Sequence, residues 1–92
     1  MDPHLEEIKK SRQAVYGDPL QNHQGIAAAW SGLLQPHWEA IRDGRPIPSW
    51  TVAHMMAALK LNRMRITYHP DNYDDITVYL QFAKDWQSQG TP

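Results

Sequence analysis

Two aspartate–proline pairs, Asp2-Pro3 and Asp18-Pro19, and a further proline, Pro70, directly before Asp71 decide most of what this chain can fold into. An aspartate carboxylate accepts from the free N–H groups of a first helical turn. A proline just inside that turn has helical φ already and no N–H to lose. Each pair therefore marks a helix start, and apolar residues recur at helical spacing behind each mark. Leu5, Ile8 and Val15 predict a first helix near 3–15, stopped at Tyr16-Gly17, where glycine is free to turn left-handed. Gln21, three residues after Asp18, completes a capping box, and Ile26, Ala27, Trp30, Leu33 and Leu34 predict a second helix near 19–34. Pro36 predicts a break near Gln35 and then a short helix near 36–42.

Residues 43–49, with Gly44, Pro46 and Pro48, read as a loop. Ser49 is the expected cap of a helix near 50–68, which carries Val52, Ala53, Met56, Leu59 and Arg63 at helical spacing. Pro70 disfavours helical geometry at His69 and ends that helix. Asp71 is the expected cap of the last helix, near 72–87, whose stripe is Ile76, Tyr79, Leu80, Ala83 and Trp86. Residues 88–92 read as a frayed polar tail. No segment alternates with period two over a convincing length. The expectation is an all-α domain over 1–92, with four main helices and one short one.

Composition narrows the function. A chain of 92 residues leaves roughly a third or more of its unfolded surface exposed, so its core is thin and a homo-oligomer is expected. The long helices from Pro19 and Trp50 are the expected contact. Nine Lys+Arg against ten Asp+Glu give a formal charge of −1, which leaves no electrostatic footprint for nucleic acid. Zero cysteines exclude a disulfide framework and a thiol nucleophile. The five histidines show no H-x-x-x-H pair, and Ser11, Ser31, Ser49 and Ser88 lack a nucleophile elbow. No apolar run approaches a membrane span and the first residues do not read as a signal peptide, so the expected location is cytoplasmic.

The last two helices are joined by a very short connection and should pack antiparallel. Counting outward from the turn, Asp75 lies level with about Met64 and Tyr79 with about Lys60. Lys60 and Arg63 share one helix face, Asp71 and Asp75 another. Carboxylates at helical spacing suit Mg²⁺, and Lys and Arg beside them suit a phosphate chain. The same spacing equally fits acidic residues favoured in a first helical turn and an Arg63–Asp75 ion pair between helices.

Tyr16-Gly17-Asp18-Pro19-Leu20-Gln21-Asn22, then Ile26-Ala27 and Trp30, then Met55-Met56-Ala57-Ala58-Leu59-Lys60-Leu61-Asn62-Arg63, then Asp71-Asn72-Tyr73-Asp74-Asp75-Ile76 and Tyr79, resemble the motifs of a family of small phage-encoded proteins. That family is in turn similar to the MazG-like all-α nucleotide pyrophosphohydrolases. The resemblance implies an oligomeric helical bundle in the cytoplasm of an infected cell. It implies Mg²⁺ held by paired carboxylates, a bound triphosphate, and a water that cleaves between the α and β phosphates. By motif position, Asp71 and Asp75 would be metal ligands, and Lys60 and Arg63 would face phosphate. Asn22, Gln21 and Tyr79 would complete the substrate site.

The sequence departs from that pattern. Gln21 stands where the family usually has Glu, and an amide is a far poorer Mg²⁺ ligand. No acid lies between Asp18 and Glu39, so the first acidic pair is missing unless Glu6 and Glu7 replace it. Thr77-Val78 replaces small residues before Tyr79, and the stretch Gln35 to Trp50 is long for the family. Two classes stand. One is a Mg²⁺-dependent nucleoside triphosphate pyrophosphohydrolase, or a degenerate relative that still binds nucleotide. The other is a small helical phage protein that binds and inhibits a host or defence protein without catalysis.

Overall fold

The structure, a computed structural model, describes residues 2–92; residue 1 of the expected domain lies outside them. It is all-α. Five α-helices run in order: α1 Pro3–Tyr16, α2 Pro19–Leu34, α3 Trp38–Arg42, α4 Ser49–Met64 and α5 Pro70–Gln89. A single 3₁₀ turn, Gln35–His37, bends the chain between α2 and α3 at Pro36.

Two of the starts form as their sequences dictate. The Asp2 side chain accepts from the His4 N–H and the Asp18 side chain from the Gln21 N–H, each with proline in the first turn. The other two differ. Pro48, not Ser49, is the N-cap of α4; Ser49 is already helical and its hydroxyl donates to the Pro92 carbonyl across the fold. His69, not Asp71, is the N-cap of α5, and Pro70 opens the helix. Pro70 holds His69 extended, at φ −133° and ψ 103°. Residues 65–69 form the connection, so α4 stops at Met64 instead of reaching 68. The expected tail 88–92 is helical in its first two residues. Helix α5 continues to Gln89, Gly90 closes it at φ 69°, and the Thr91 N–H donates to the Trp86 carbonyl.

Helix α4 is the centre of the molecule, with α5 antiparallel on one side and α2 on the other. Ala53 and Ala57 of α4 are buried, as are Ile76 and Ala83 of α5. Three alanines in that set bring the two helix axes close. Helix α2 is fixed to α4 by polar contacts as much as by Ile26. The Trp30 indole donates to the Met55 carbonyl at 2.6 Å, and Asn62 donates to the Asn22 carbonyl at 2.9 Å and to its Oδ1 at 2.7 Å. Thr51, the largest side chain buried outright, bonds the His37 ring at 3.0 Å and ties the 3₁₀ turn to the start of α4.

Helix α1 buries no residue. Leu5 and Ile8 are exposed rather than set in a core. The helix reaches the rest of the chain through Tyr16, whose ring lies against His69 and under the Arg63 guanidinium. Leu80, expected on the buried stripe of α5, is about half exposed, and so is Val52.

Candidate functional site

The residues that the sequence groups into one site are dispersed by the fold. Asp75 meets Lys60 at 3.0 Å, with the lysine side chain 17% exposed and the carboxylate 49%. The partner is Lys60 and not Arg63, the alternative the spacing allowed. Asp71 sits in the first turn of α5 and is exposed. Gln21 is exposed in the first turn of α2. Tyr79 lines an apolar groove between α4 and α5 with Phe82 and Trp86. Besides the Lys60–Asp75 pair, only Asn22 and Arg63 of the expected set come together among the described residues.

They meet in a cavity of about 340 Å³ where the end of α1, the start of α2 and the last turn of α4 converge. Its walls are Lys9, Arg12, Tyr16, Gly17, Pro19, Asn22, His23 and Arg63. Lys9, Arg12 and Tyr16 stand at positions i, i+3 and i+7 of α1 and so share one face of it. Gly17 then turns the chain at φ 79° and ψ −153°, a conformation open essentially to glycine, and α2 starts beside that face. On the far wall the Asn62 side chain holds Asn22, and the Arg63 guanidinium lies 4.9 Å from the centre of the Tyr16 ring.

The electrostatics of this cavity are one-sided. Three permanent cations and a histidine line it, and no carboxylate does. Lys9 reaches Glu6 only at 4.0 Å on the open surface, and the His23 ring bonds the Pro19 carbonyl at 2.6 Å. Among the described residues Arg12 and Arg63 have no ion-pair partner at all. The Arg63 Nε is buried with nothing to bond, and the His69 Nε2 and the Asn72 Nδ2, on residues at the same end of the α4–α5 hairpin, share that condition. A buried donor left unpaired costs free energy, so such groups favour an acceptor that reaches them.

The acidic side is poorer. Among the described residues no three of the His, Asp and Glu side chains stand close enough to hold a metal ion. Asp75 already answers Lys60, and Asp71 is one exposed carboxylate. This donor set does not fit a resident Mg²⁺ cage, which asks for near-octahedral oxygen ligands.

The family whose model matches the chain, over residues 2–87, is described as a domain of unknown function, DUF6378. The chain belongs to that family. Neither a curated protein nor a solved structure matches it. The match spans α1 through most of α5, so every wall of the basic cavity lies inside the DUF6378 domain. Sequence reasoning missed the contribution of α1 to that cavity. The signal was present, because Lys9 and Arg12 lie on the Tyr16 side of the helix, but the apolar stripe of Leu5, Ile8 and Val15 drew α1 toward a core that it does not join.

Proposed function

We propose that this chain binds a nucleotide polyphosphate, with the phosphates in the basic cavity between α1, α2 and α4. The observation that carries the reading is Arg63. It is half-buried and unpaired, its Nε lacks any acceptor, and Arg12, Lys9 and His23 line the same space. Arginine forks match phosphate oxygens bidentately, and lysine adds a point charge. At about 340 Å³ the cavity is near the small end of ligand sites, which run from roughly 300 to 1,000 Å³. It takes the phosphates and leaves the base at its open rim. The resemblance to MazG-like enzymes supports a nucleotide over other polyanions. Mg²⁺ comes as the counter-ion of the triphosphate, not in a cage of protein carboxylates, and the reading does not include hydrolysis.

Thermal unfolding against each nucleoside triphosphate, and against inorganic triphosphate, with and without Mg²⁺, tests it. A ligand that binds only the folded state at 100 times its Kd stabilises by about 2.7 kcal/mol, a shift of several degrees in Tm for a domain this small. Arg63→Met and Arg12→Gln should each remove most of that shift, while Asp75→Asn should keep it. A shift lost in Asp75→Asn but kept in Arg63→Met would return the ligand to the acidic pair. No shift with any triphosphate leaves the host-binding reading in its place.

A further inference from the structure

Three side chains at the turn end of the α4–α5 hairpin each hold a buried polar atom that bonds nothing among the described residues: Nε of Arg63, Nε2 of His69 and Nδ2 of Asn72. The register of the hairpin brings them together. Lys60 of α4 and Asp75 of α5 meet at 3.0 Å. Arg63 and Asn72 stand three residues nearer the turn on their helices, on the same faces as that pair, and so are level with each other. His69 lies three residues before Asn72, and its carbonyl accepts from the Asn72 N–H at 3.1 Å. The Tyr16 ring completes the group, its centre 4.9 Å from the Arg63 Cζ and 5.9 Å from the centre of the His69 ring.

What this group lacks is an acceptor. Asn72 is only 7% exposed. Asp75, the carboxylate one turn along the same face of α5, is taken by Lys60. The face of Tyr16 attracts the guanidinium but supplies no oxygen. Roughly nine in ten buried polar groups of a folded protein are paired, so three unpaired in one place cost the free protein stability. We propose, on the polyphosphate reading above, that Arg63, His69 and Asn72 form the inner end of the phosphate site and take one phosphoryl group, the last of the bound chain. Arg63 belongs to both places, because it also walls the basic cavity, whereas His69 and Asn72 lie on its α5 side and line none of that cavity. A nucleotide that leaves its base at the rim puts its last phosphoryl group deepest. That group has three non-bridging oxygens where an inner one has two, so it can answer three donors. The Tyr16 ring, which covers Arg63 and His69, turns aside to admit it.

The stability of the free protein separates this role from a structural one. Asn72→Leu, close in shape and without a donor, should leave the Tm without ligand at or above the wild-type value. In isothermal titration it should weaken ATP and inorganic triphosphate about tenfold or more, the share of a hydrogen bond to a charged group. His69→Phe keeps a ring against Tyr16 and should behave alike; where Asn72→Leu fails to fold, His69→Phe decides. The γ-methyl ester of ATP, with one oxygen fewer on the last phosphoryl group, should bind the wild type more weakly than ATP and bind Asn72→Leu no differently. Orthophosphate that binds the wild type and is lost in the same variants assigns the same donors to free phosphate. Two results overturn the inference while leaving the polyphosphate reading intact: ATP binding that Arg12→Gln removes but the folded inner variants keep, or an ester that binds the wild type as well as ATP does. A folded variant with a lowered Tm without ligand and wild-type affinity also overturns it, because the donor then serves the fold. No heat with any phosphate probe removes both readings.

Discussion

Gly25 is held to glycine by its neighbour and not by its backbone. It lies inside α2 at helical φ, and a Cβ there would run into the Oδ1 of Asn62, the side chain that fixes α2 to α4. Alanine in a helix interior usually gains about 1 kcal/mol over glycine, whereas forcing extra atoms into a packed contact costs about 1–3 kcal/mol. Gly25→Ala should therefore destabilise the chain in urea denaturation. In an Asn62→Ala background the same change should turn stabilising, a reversal that an effect of helix propensity alone could not produce. Asp43 shows the opposite, exposed kind of residue. The guanidinium of Arg42 at 3.0 Å and that of Arg45 at 3.3 Å hold its carboxyl below the ordinary 3.8. Since the folded value is the lower one, the contribution to stability is present above the unfolded pKa and disappears as pH falls through the folded pKa. An NMR titration should find the Asp43 value below the ordinary one and find it raised by Arg45→Gln.

Between elements, the α4–α5 hairpin carries one ion pair, Lys60 to Asp75, and it joins the helices without closing a metal site. Exposed pairs contribute about 0.2–1 kcal/mol. Asp75 is about half exposed, so a double-mutant cycle of Lys60→Met with Asp75→Asn should give a coupling within that range. The cycle of Asp75→Asn with Arg63→Met should give almost none. A larger coupling with Arg63 would mean that the hairpin register differs from the one described. The helices themselves were legible because the signals that start them are local. Asp2 and Asp18 cap and Pro36 bends the chain where the residues say they should. The turn after α4 was not, because Asp71 resembles a cap while Pro70 can occupy the first helical turn only by making His69 the cap. The site was half legible for a related reason. Arg63 and Asn22 were found from motif position, but whether Arg63 faces Asp75 or Tyr16 depends on where α1 docks. No periodicity in α4 or α5 contains that information.

For the whole molecule, stability is graded along the chain. Buried apolar and polar side chains belong to α2, α4 and α5, whereas α1 buries nothing and is joined through Tyr16, Arg63 and His69. Regions with few buried contacts open at low free energy, and central packed helices open only near the global limit. Amide hydrogen exchange of the free protein should therefore be fastest in α1, short of the turn at Tyr16, and slowest around Ala53, Ala57 and Ala83. The proposed ligand changes that order in one specific way. Two of the three cations of the basic cavity, Lys9 and Arg12, come from α1, and the third, Arg63, from α4. A polyphosphate held by all three ties the loosest helix to the most stable one. Exchange in α1 should slow on adding triphosphate by more than exchange in α5, whose residues do not line the cavity. Equal slowing everywhere would mean that the ligand acts only by raising global stability. Protection of α1 equal to that of α4 without ligand would mean that something else already covers it.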